Sequence, residues 1–387
     1  MKAILILLYS SIIISFQHFF FNVELYKEQL QLKQTDSLVT ANLCFVGDLM
    51  CHSTQFNYAK VDADSFDFTG VFREVKNYLS EPNLTIGNLE TVIAGKENSY
   101  SGYPYFNAPD DFVYALGDAG FDLMITANNH ALDQGWNGVK RTIDVLNHNK
   151  IHRTGTFTSK KDQDSLRIFQ INTIKIAILA YTENTNGLPI PKGKDFVINL
   201  IDEEIIEQDI LKAKNKNVDV VLVHLHYGSE YNREPSDYQK KIVKKIIELG
   251  ADIIIGGHPH VIQPFDFFET NNTRLDTGFV AYSLGNFVSN QRWRYSDAGV
   301  ILNIQISKNI FTDSIFISEV NYVPTWVFKG NTQKGREYII IPSQSEYSDS
   351  MHTFLTTNDK KLMNEAFEDT KEIIHKYKHF YKLVNLE

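Results

Sequence analysis

Cysteine is scarce in this sequence. Cys44 and Cys51 are the only two cysteines among 387 residues, and they flank Asp48 instead of forming a Cys-x-x-Cys pair. The spacing would let the two thiols approach each other if the intervening loop bends back, but a disulfide framework or a thiolate zinc site needs more cysteines. We therefore interpret Cys44 as a buried strand residue and Cys51 as a loop residue.

A net positive charge is also missing. The chain has 38 lysines and arginines against 47 aspartates and glutamates, which gives a formal net charge of −9 at pH 7. A nucleic-acid-binding protein needs a basic face, so we expect no nucleic-acid partner. The 43% of apolar residues is enough for a substantial core and argues against disorder.

The N-terminus differs from the rest of the chain. Lys2 is followed by a stretch without formally charged residues, Ala3–Val23. A positive residue before an apolar segment predicts an export signal. No small-x-small cleavage site or lipobox cysteine follows, and Phe19–Phe21 extend the apolar stretch to about 20 residues, enough to span a bilayer.

These features favour an uncleaved signal-anchor over a cleaved signal peptide at residues 1–23, with a polar tether at 24–41. We therefore expect an exported protein of the cell envelope that is membrane-anchored, periplasmic or extracellular. The alternative is a buried N-terminal helix of a cytoplasmic protein.

Six short apolar runs each end in a cluster of His, Asp, Glu or Asn. A run of four or five apolar residues is typical of a strand buried on both faces. Ligands of open α/β sheets collect at the carboxyl ends of such strands, so these clusters lie where an active site is expected. The runs are Leu43–Asp48, Leu84–Glu90, Leu123–His130, Val220–Gly228, Asp252–His260 and Phe279–Phe287.

Helical spacing alternates with these runs, which indicates βαβ units. Two segments alternate with period two instead and predict antiparallel hairpins, so we expect an α/β fold with two mixed sheets and helices outside. We therefore predict a domain at residues 42–326 and a C-terminal extension at 327–387 that contains a terminal helix. The predicted helices are Phe68–Leu79, Asp110–Gly120, Trp136–Asn149, Asp202–Lys216, Pro235–Gly250 and Asp359 to about Leu383; the hairpins are Leu166–Tyr181 and Gly299–Val320.

Histidines provide the sharpest chemical signal. His258 and His260 follow an apolar run and are separated only by Pro259, so both imidazoles can address one or two metal ions. A surface His-x-His is the plainer interpretation of this motif taken alone. His224 and His226 share a face at another strand end. We expect His226, nearer the end, to be a ligand and His224 to be buried or to support the site.

Oxygen ligands are available at three further strand ends. Asp48 and Glu90 supply carboxylates, Asn129 an amide oxygen, and His130 can act as an acid instead of a ligand. Asp48 alone would fit ordinary turn chemistry. Five strand ends that each offer a ligand-type residue predict a divalent-metal site, and this mixture of donors fits a dinuclear hydrolytic centre.

The order of the motifs GDLM, GNLET, TANNHALDQG, HLHYGSEY, GGHPHVIQPFD and YSLGNFV across residues 43–295 resembles the CapA family of capsule and poly-γ-glutamate synthesis proteins. That family is a branch of the calcineurin-like metallophosphoesterases. The resemblance implies a four-layer α/β/β/α sandwich and one or two divalent ions of Mn, Zn or Fe. It implies a leaving-group or transition-state role for His130. The implied metal ligands are Asp48, Glu90, Asn129, His226, His258 and His260.

The chain departs from the usual metallophosphoesterase pattern at two places. Met50 stands where an Asp-x-His motif would have its histidine, with His52 two residues later, and Glu90 replaces the usual bridging aspartate. Members of the CapA family share both changes. A single metal, or a geometry for another substrate, is therefore compatible with the resemblance.

Three functions fit these observations. The first is a metal-dependent hydrolase or transferase of capsule or poly-γ-glutamate biosynthesis, acting on an anionic polymer or another envelope substrate. The second is a non-catalytic subunit that binds polymer or holds membrane-bound synthetase subunits together, and the third is an exported phosphodiesterase or nucleotidase. Asp133, Glu230 and Asn286 lie near the predicted site, where each would contact substrate or satisfy loop backbone.

Overall fold

The computed structural model describes residues 37–270, 274–343, 352–377 and 382–383. The strands are β1 (Leu38–Leu49), β2 (Leu84–Leu89), β3 (Leu123–Ile125), β4 (His152–Thr154), β5 (Arg167–Ile171), β6 (Ile174–Thr182), β7 (Val220–His226), β8 (Ile253–Gly257), β9 (Phe265–Glu269), β10 (Thr277–Ala281), β11 (Asn286–Val288), β12 (Ala298–Asn309), β13 (Ile315–Thr332), β14 (Gly335–Pro342) and β15 (Lys382–Leu383). The helices are α1 (Ser53–Ala59), α2 (Thr69–Phe72), α3 (Lys76–Ser80), α4 (Asp110–Ala119), α5 (Gly135–His148), α6 (Lys160–Asp164), α7 (Glu203–Lys214), α8 (Asp237–Leu249) and α9 (Thr357–Ile374), with 3₁₀ turns at Lys96–Asn98 and His375–Tyr377.

The strands form two mixed sheets. The larger has the order β14-β13-β12-β1-β2-β3-β4, with β11 beside β1 and β15 beside β13. The smaller has the order β5-β6-β7-β8-β10-β9, in which β5 and β9 are antiparallel edge strands. Strands β1 to β4 run parallel, as do β6, β7, β8 and β10. The predicted mixed architecture is confirmed.

Alternating side chains bury both faces of each sheet. Leu43 of β1 and Ile178 of β6 contribute to the apolar layer between the sheets. Cys44, next to Leu43, faces the opposite way and packs with residues of α1 to α5. Leu179 likewise packs outward against α7 and α8. Because successive strand residues point to opposite faces, this pattern produces the predicted four layers, α/β/β/α.

The carboxyl ends of the parallel strands from both sheets meet at one edge. Asp48 at the end of β1 is paired with Asn88 of β2, and His226 at the end of β7 is paired with Gly257 of β8. A Cβ atom on Gly257 would lie 2.8 Å from Asp48 Oδ1, so the two sheets approach within contact distance here. This edge places the chemically active side chains around one point.

The apolar run Phe279–Phe287 differs from its prediction as a single strand. Its first residues belong to β10 in the smaller sheet, whereas its last residues belong to β11 in the larger sheet. The chain crosses between the sheets at residues 282–285 and turns at Gly285, whose φ is +68°. Apolar content cannot distinguish one buried strand from two short ones joined by a crossing.

Two other elements are shorter than predicted. The helix predicted at Phe68–Leu79 is interrupted between α2 and α3, and the terminal helix α9 ends at Ile374 instead of continuing to about Leu383. Two predicted hairpins are confirmed: β5 and β6 turn at Asn172-Thr173, and β12 and β13 pair antiparallel along most of their length.

The C-terminal residues join the larger sheet directly. Strand β13 runs through the predicted boundary between residues 326 and 327, and α9 packs over Trp326 and Phe328. At the other end, β1 begins at Leu38, inside the predicted tether. The predicted signal segment 1–23 lies outside the described residues. Among the helices that are described, none has the length and apolarity needed to cross a membrane.

Candidate metal centre

The ends of β1 and β2 supply buried carboxylates. Asp48 accepts a hydrogen bond from Asn88 Nδ2 at 2.7 Å through Oδ1, and its Oδ2 lies 3.1 Å from His260 Nδ1. Glu90, directly after β2, is fully buried, and neither of its carboxylate oxygens has a hydrogen-bond partner. Burying an unpaired carboxylate is costly, so Glu90 Oε1 and Oε2 indicate a missing cationic partner.

The histidines of β7 and of the turn after β8 face Glu90. His226 Nε2 lies 3.5 Å and His260 Nε2 3.8 Å from Glu90 Oε1. His258 and His260 have φ values of +94° and +57°, in a region that non-glycine residues rarely adopt. Such backbone strain is typical of residues held for a function.

These side chains form two ligand groups that share one member. Glu90, His226 and His258 offer ligand atoms within 4.8 Å of one another, and so do Asp48, Glu90 and His260. Glu90 therefore stands where it can bridge two ions. The residues present fit one or two divalent cations, because carboxylate and imidazole donors converge on the unpartnered Glu90 oxygens.

The protonation states of two histidines, His226 and His258, suit this arrangement, whereas His260 is protonated in the absence of metal. Burial lowers the pKa values of His226 and His258 to about 3, so both imidazoles are neutral, the form that binds metal. Burial opposes the charged form of His260, but the nearby charge of Glu90 and the hydrogen bond and charge of Asp48 raise its pKa to about 9. A metal ion bound there would have to displace that proton.

Burial also opposes ionisation of Asp48, but the hydrogen bond and charge of His260 hold the pKa of Asp48 well below its usual range. Burial raises the pKa of Glu90 to about 8, with a further contribution from the nearby charge of Asp48.

Loop 126–134 after β3 brings Asn129 and His130 to the same place. Asn129 Oδ1 lies 2.8 Å from His226 Nε2, next to the first ligand group. His130 Nδ1 donates to Asp133 Oδ2 at 2.8 Å, since a carboxylate only accepts. Asp133 Oδ2 also accepts from the backbone N–H of Phe106 at 2.7 Å. The Asp133 side chain thus orients His130, and its predicted contact with substrate stays a prediction.

Two other predicted substrate contacts differ in exposure. Asn286 is buried and places its Oδ1 3.1 Å from His260 Nδ1, while its Nδ2 donates to Ser296 O at 2.9 Å. It therefore helps to hold His260. Glu230 is exposed and close enough to influence the pKa values of Glu90 and His258. Both remain predicted substrate contacts.

His224 and His52 lie outside the two ligand groups. His224 is buried and lies in β7 on the same side as His226, as expected of a supporting residue. His52 begins α1, where its side chain caps the helix and its Nδ1 lies 3.2 Å from Gln55 Oε1. His52 does not take the place of the missing Asp-x-His histidine in either group.

Two asparagines that the motifs did not predict as site residues lie beside the ligand groups. Asn88 Nδ2 contacts both Asp48 Oδ1 and His226 Nδ1, at 2.7 and 3.1 Å, and Asn128 Nδ2 donates to Asn88 Oδ1 at 3.2 Å. Asn88 therefore couples β1 of one sheet to β7 of the other. Its position two residues before Glu90, on the same face of β2, is the signal that could have identified it.

Comparisons with known proteins agree with the motif pattern. The sequence profile of the bacterial capsule synthesis protein family PGA_cap matches residues 42–291, which include every ligand-type residue described above. The chain is 30% identical over 275 residues to the capsule biosynthesis protein CapA of Bacillus anthracis, covering 69% of this chain and 64% of that relative. It is 29% identical over 279 residues to the PGA biosynthesis protein CapA of Bacillus subtilis (strain 168), covering 71% of this chain and 70% of that one.

The match spans slightly less than two thirds of the Bacillus anthracis relative. Among solved structures, the NAD nucleotidase of Haemophilus influenzae is similar, with a TM-score of 0.47, 15% identity, and coverage of 88% of this chain and 67% of that one. The profile match covers well over half of the sequence. The chain therefore belongs to the bacterial capsule synthesis protein family PGA_cap.

Proposed function

We propose that this protein is an exported or membrane-anchored metal-dependent hydrolase or transferase that acts in the biosynthesis of capsule, poly-γ-glutamate or a similar envelope polymer. Membership of the capsule synthesis family supports the biological role. The observation that carries the chemistry is Glu90, a fully buried carboxylate whose oxygens accept no hydrogen bond and which belongs to two ligand groups at once.

Six residues would hold the ions, and His130 would transfer a proton. Divalent ions of Mn, Zn or Fe held by Asp48, Glu90, Asn129, His226, His258 and His260 would polarise the bond to be broken and lower the pKa of water. Asp133 fixes the Nδ1 proton of His130, which leaves Nε2 to give or take a proton. The Phe106 ring packs nearly perpendicular to the His130 ring, with 4.7 Å between the ring centres, and restricts the rotation of His130.

Metal content is the first test. We expect the purified full chain to bind one or two ions after loading with manganese or zinc, measured by elemental mass spectrometry. Glu90→Gln and His258→Ala should lose them. Glu230→Gln, an exposed glutamate outside both ligand groups, is the matched control and should keep them. Absence of stoichiometric metal under every loading condition would contradict the proposal.

Polymer production in cells is the second test, since it separates catalysis from scaffolding. We expect His130→Ala combined with Asn129→Ala to abolish production while the protein stays folded. His148→Ala, an exposed histidine of α5, should leave production intact. Continued production by the double variant would reject a catalytic role and favour a polymer-binding subunit. Turnover of an aryl phosphodiester by the metal-loaded protein would add evidence for phosphoester chemistry.

A further inference from the structure

Exposed apolar side chains cluster at the end of the larger sheet that lies opposite the metal centre. The turn between β12 and β13 exposes 49% of Ile310 and 81% of Phe311. Leu38 and Phe316, on the adjoining strands, are also exposed. We call these four residues the apolar tip. Large apolar residues grouped on a surface indicate an interaction site.

The apolar tip adjoins the point where the described chain begins. Ile310 N donates to Ser37 O at 2.9 Å, Asn309 Nδ2 donates to Ser37 Oγ at 2.9 Å, and Leu38 pairs with Asn309. Thirteen residues, 24–36, separate the uncharged stretch Ala3–Val23 from Ser37. A fully extended segment of that length reaches about 45 Å, so any bilayer that holds Ala3–Val23 lies within reach of the tip.

Charges at the base of the tip neutralise one another. Arg274 lies 2.6 Å from Asp219 and 2.9 Å from Asp313, and Lys308 lies 3.0 Å from both aspartates. Paired charges lose less solvation than isolated ones near a low-dielectric phase. The tip is also a hairpin turn, which places the exposed side chains of Ile310 and Phe311 at the very end of two long strands.

We propose that the apolar tip, led by Ile310 and Phe311, inserts into the interface of a lipid bilayer as a second membrane contact beside the N-terminal segment. Leu38 starts β1 and Asp48 lies next to its last residue, so the metal centre lies about 33 Å from the tip along the strand. Contact at the tip would hold the metal centre at that height above the membrane surface. The proposal is independent of the reaction performed there.

Site-selective fluorescence on the full chain in phosphatidylcholine nanodiscs tests this contact. Cys44 and Cys51 are both fully buried, so a thiol-reactive environment-sensitive dye will label an introduced cysteine selectively. We expect the dye on Phe311→Cys to lose emission when the lipid acyl chains carry bromine. Val61→Cys is the control, because Val61 is exposed and follows α1, which comes after the end of β1 that is remote from the tip.

Several outcomes would contradict the proposal. Equal, unquenched emission from both positions would place the tip in water. A blue-shifted but unquenched dye at position 311 would show that protein covers it, and a disulfide between two Phe311→Cys chains would identify a second copy as the occupant. Failure of the full chain to enter nanodiscs would show that the protein does not bind a bilayer and would contradict the proposal. A dye on Ile310→Cys should repeat the quenching and excludes an artefact of one substitution.

Discussion

At the scale of single residues, Glu90 shows a conflict between stability and function. Burial raises its pKa from an ordinary 4.5 to about 8, so in the metal-free protein the fold favours the protonated form. The resulting destabilisation is absent below about pH 4.5 and grows as the pH rises towards 8. We expect Glu90→Gln to stabilise the metal-free protein at pH 8 by about 1–3 kcal/mol, measured by urea unfolding.

The gain should be small at pH 4.5 and should disappear at lower pH, because the unfolded-state carboxyl, with its ordinary pKa of 4.5, is half protonated at pH 4.5 and fully protonated only below it. Glu230→Gln should change stability little at either pH, since Glu230 is exposed. Added metal should stabilise the wild type but not Glu90→Gln. A less stable Glu90→Gln protein at pH 8 would show that Glu90 has a structural partner instead of an ionic ligand.

Gly257 is required by the close approach of the two sheets. A Cβ atom there would lie 2.8 Å from Asp48 Oδ1 and 3.5 Å from His226 Nδ1, so Asp48 must move. Displaced supporting groups commonly reduce metal affinity 10- to 100-fold, and we expect about that loss for Gly257→Ala by metal titration. Gly117→Ala in α4 is the control, because its Cβ would meet no atom closer than 3.7 Å. Unchanged affinity in Gly257→Ala would show that Asp48 is not a ligand.

At the scale of elements, Asp162 joins the two sheets at one edge. It belongs to α6 and lies 2.6 Å from Arg153 of β4, in the larger sheet, and 2.6 Å from Arg167 of β5, in the smaller. Burial opposes ionisation of Asp162, but the Thr158 N–H and both guanidinium groups lower its pKa from 3.8 to about 2. A lowered carboxyl pKa stabilises the fold above about pH 4, and the contribution disappears as the pH falls towards 2.

We therefore expect Asp162→Asn to lose about 1–2 kcal/mol of unfolding free energy at pH 7, after allowance for partial solvent screening. The difference from wild type should shrink as the pH falls below 4. Asp164→Asn, two residues away and more exposed, should have little effect in the same thermal and urea measurements. A loss in Asp162→Asn that does not depend on pH would point to packing rather than charge.

The elements also show what sequence could predict. Asp48, Glu90, His226 and the His258–His260 pair were identifiable because each directly ends an apolar run, and strand ends of both sheets converge. The crossing from β10 to β11 was not identifiable, because a buried run of nine residues has the same composition whether it is one strand or two. Asn88 was missed because asparagine within a strand has no chemical signature until its neighbours are known.

The break between α2 and α3 has the same kind of cause. Phe68–Leu79 keeps helical spacing across residues 73–75, yet two short helices and the turn between them bring its apolar residues into the outer layer. These are Val71 and Phe72 of α2, Val75 of the turn and Leu79 of α3. Tertiary packing therefore overrides a local preference that the sequence expresses correctly. The full length of β13 could not be predicted for a related reason. Its later residues are buried because α9 packs on them, and a contact between distant parts of the chain leaves no local pattern.

At the scale of the whole molecule, α9 connects the C-terminal end of the chain to the neighbourhood of the metal centre. Asp369 accepts two hydrogen bonds from Arg294, at 2.9 and 2.8 Å, and its backbone carbonyl accepts one from Arg233. Arg294 belongs to loop 289–297, which follows Asn286 and includes Trp293. The loop is thereby fixed from outside by a helix that itself packs on Trp326.

We expect Asp369→Asn to release this loop, because an amide cannot accept both guanidinium N–H groups as a carboxylate does. Trypsin should then cleave after Arg292 or Arg294 several-fold faster than in the wild type, as followed by mass spectrometry under native conditions. Glu368→Gln, at an exposed glutamate next to Asp369 on the same helix, should be cleaved at the wild-type rate. Equal protection of both variants would mean that α9 covers the sheet without controlling the loop. Faster cleavage with unchanged metal content would show that the ligand groups depend on the strands alone, and that α9 governs only access to them.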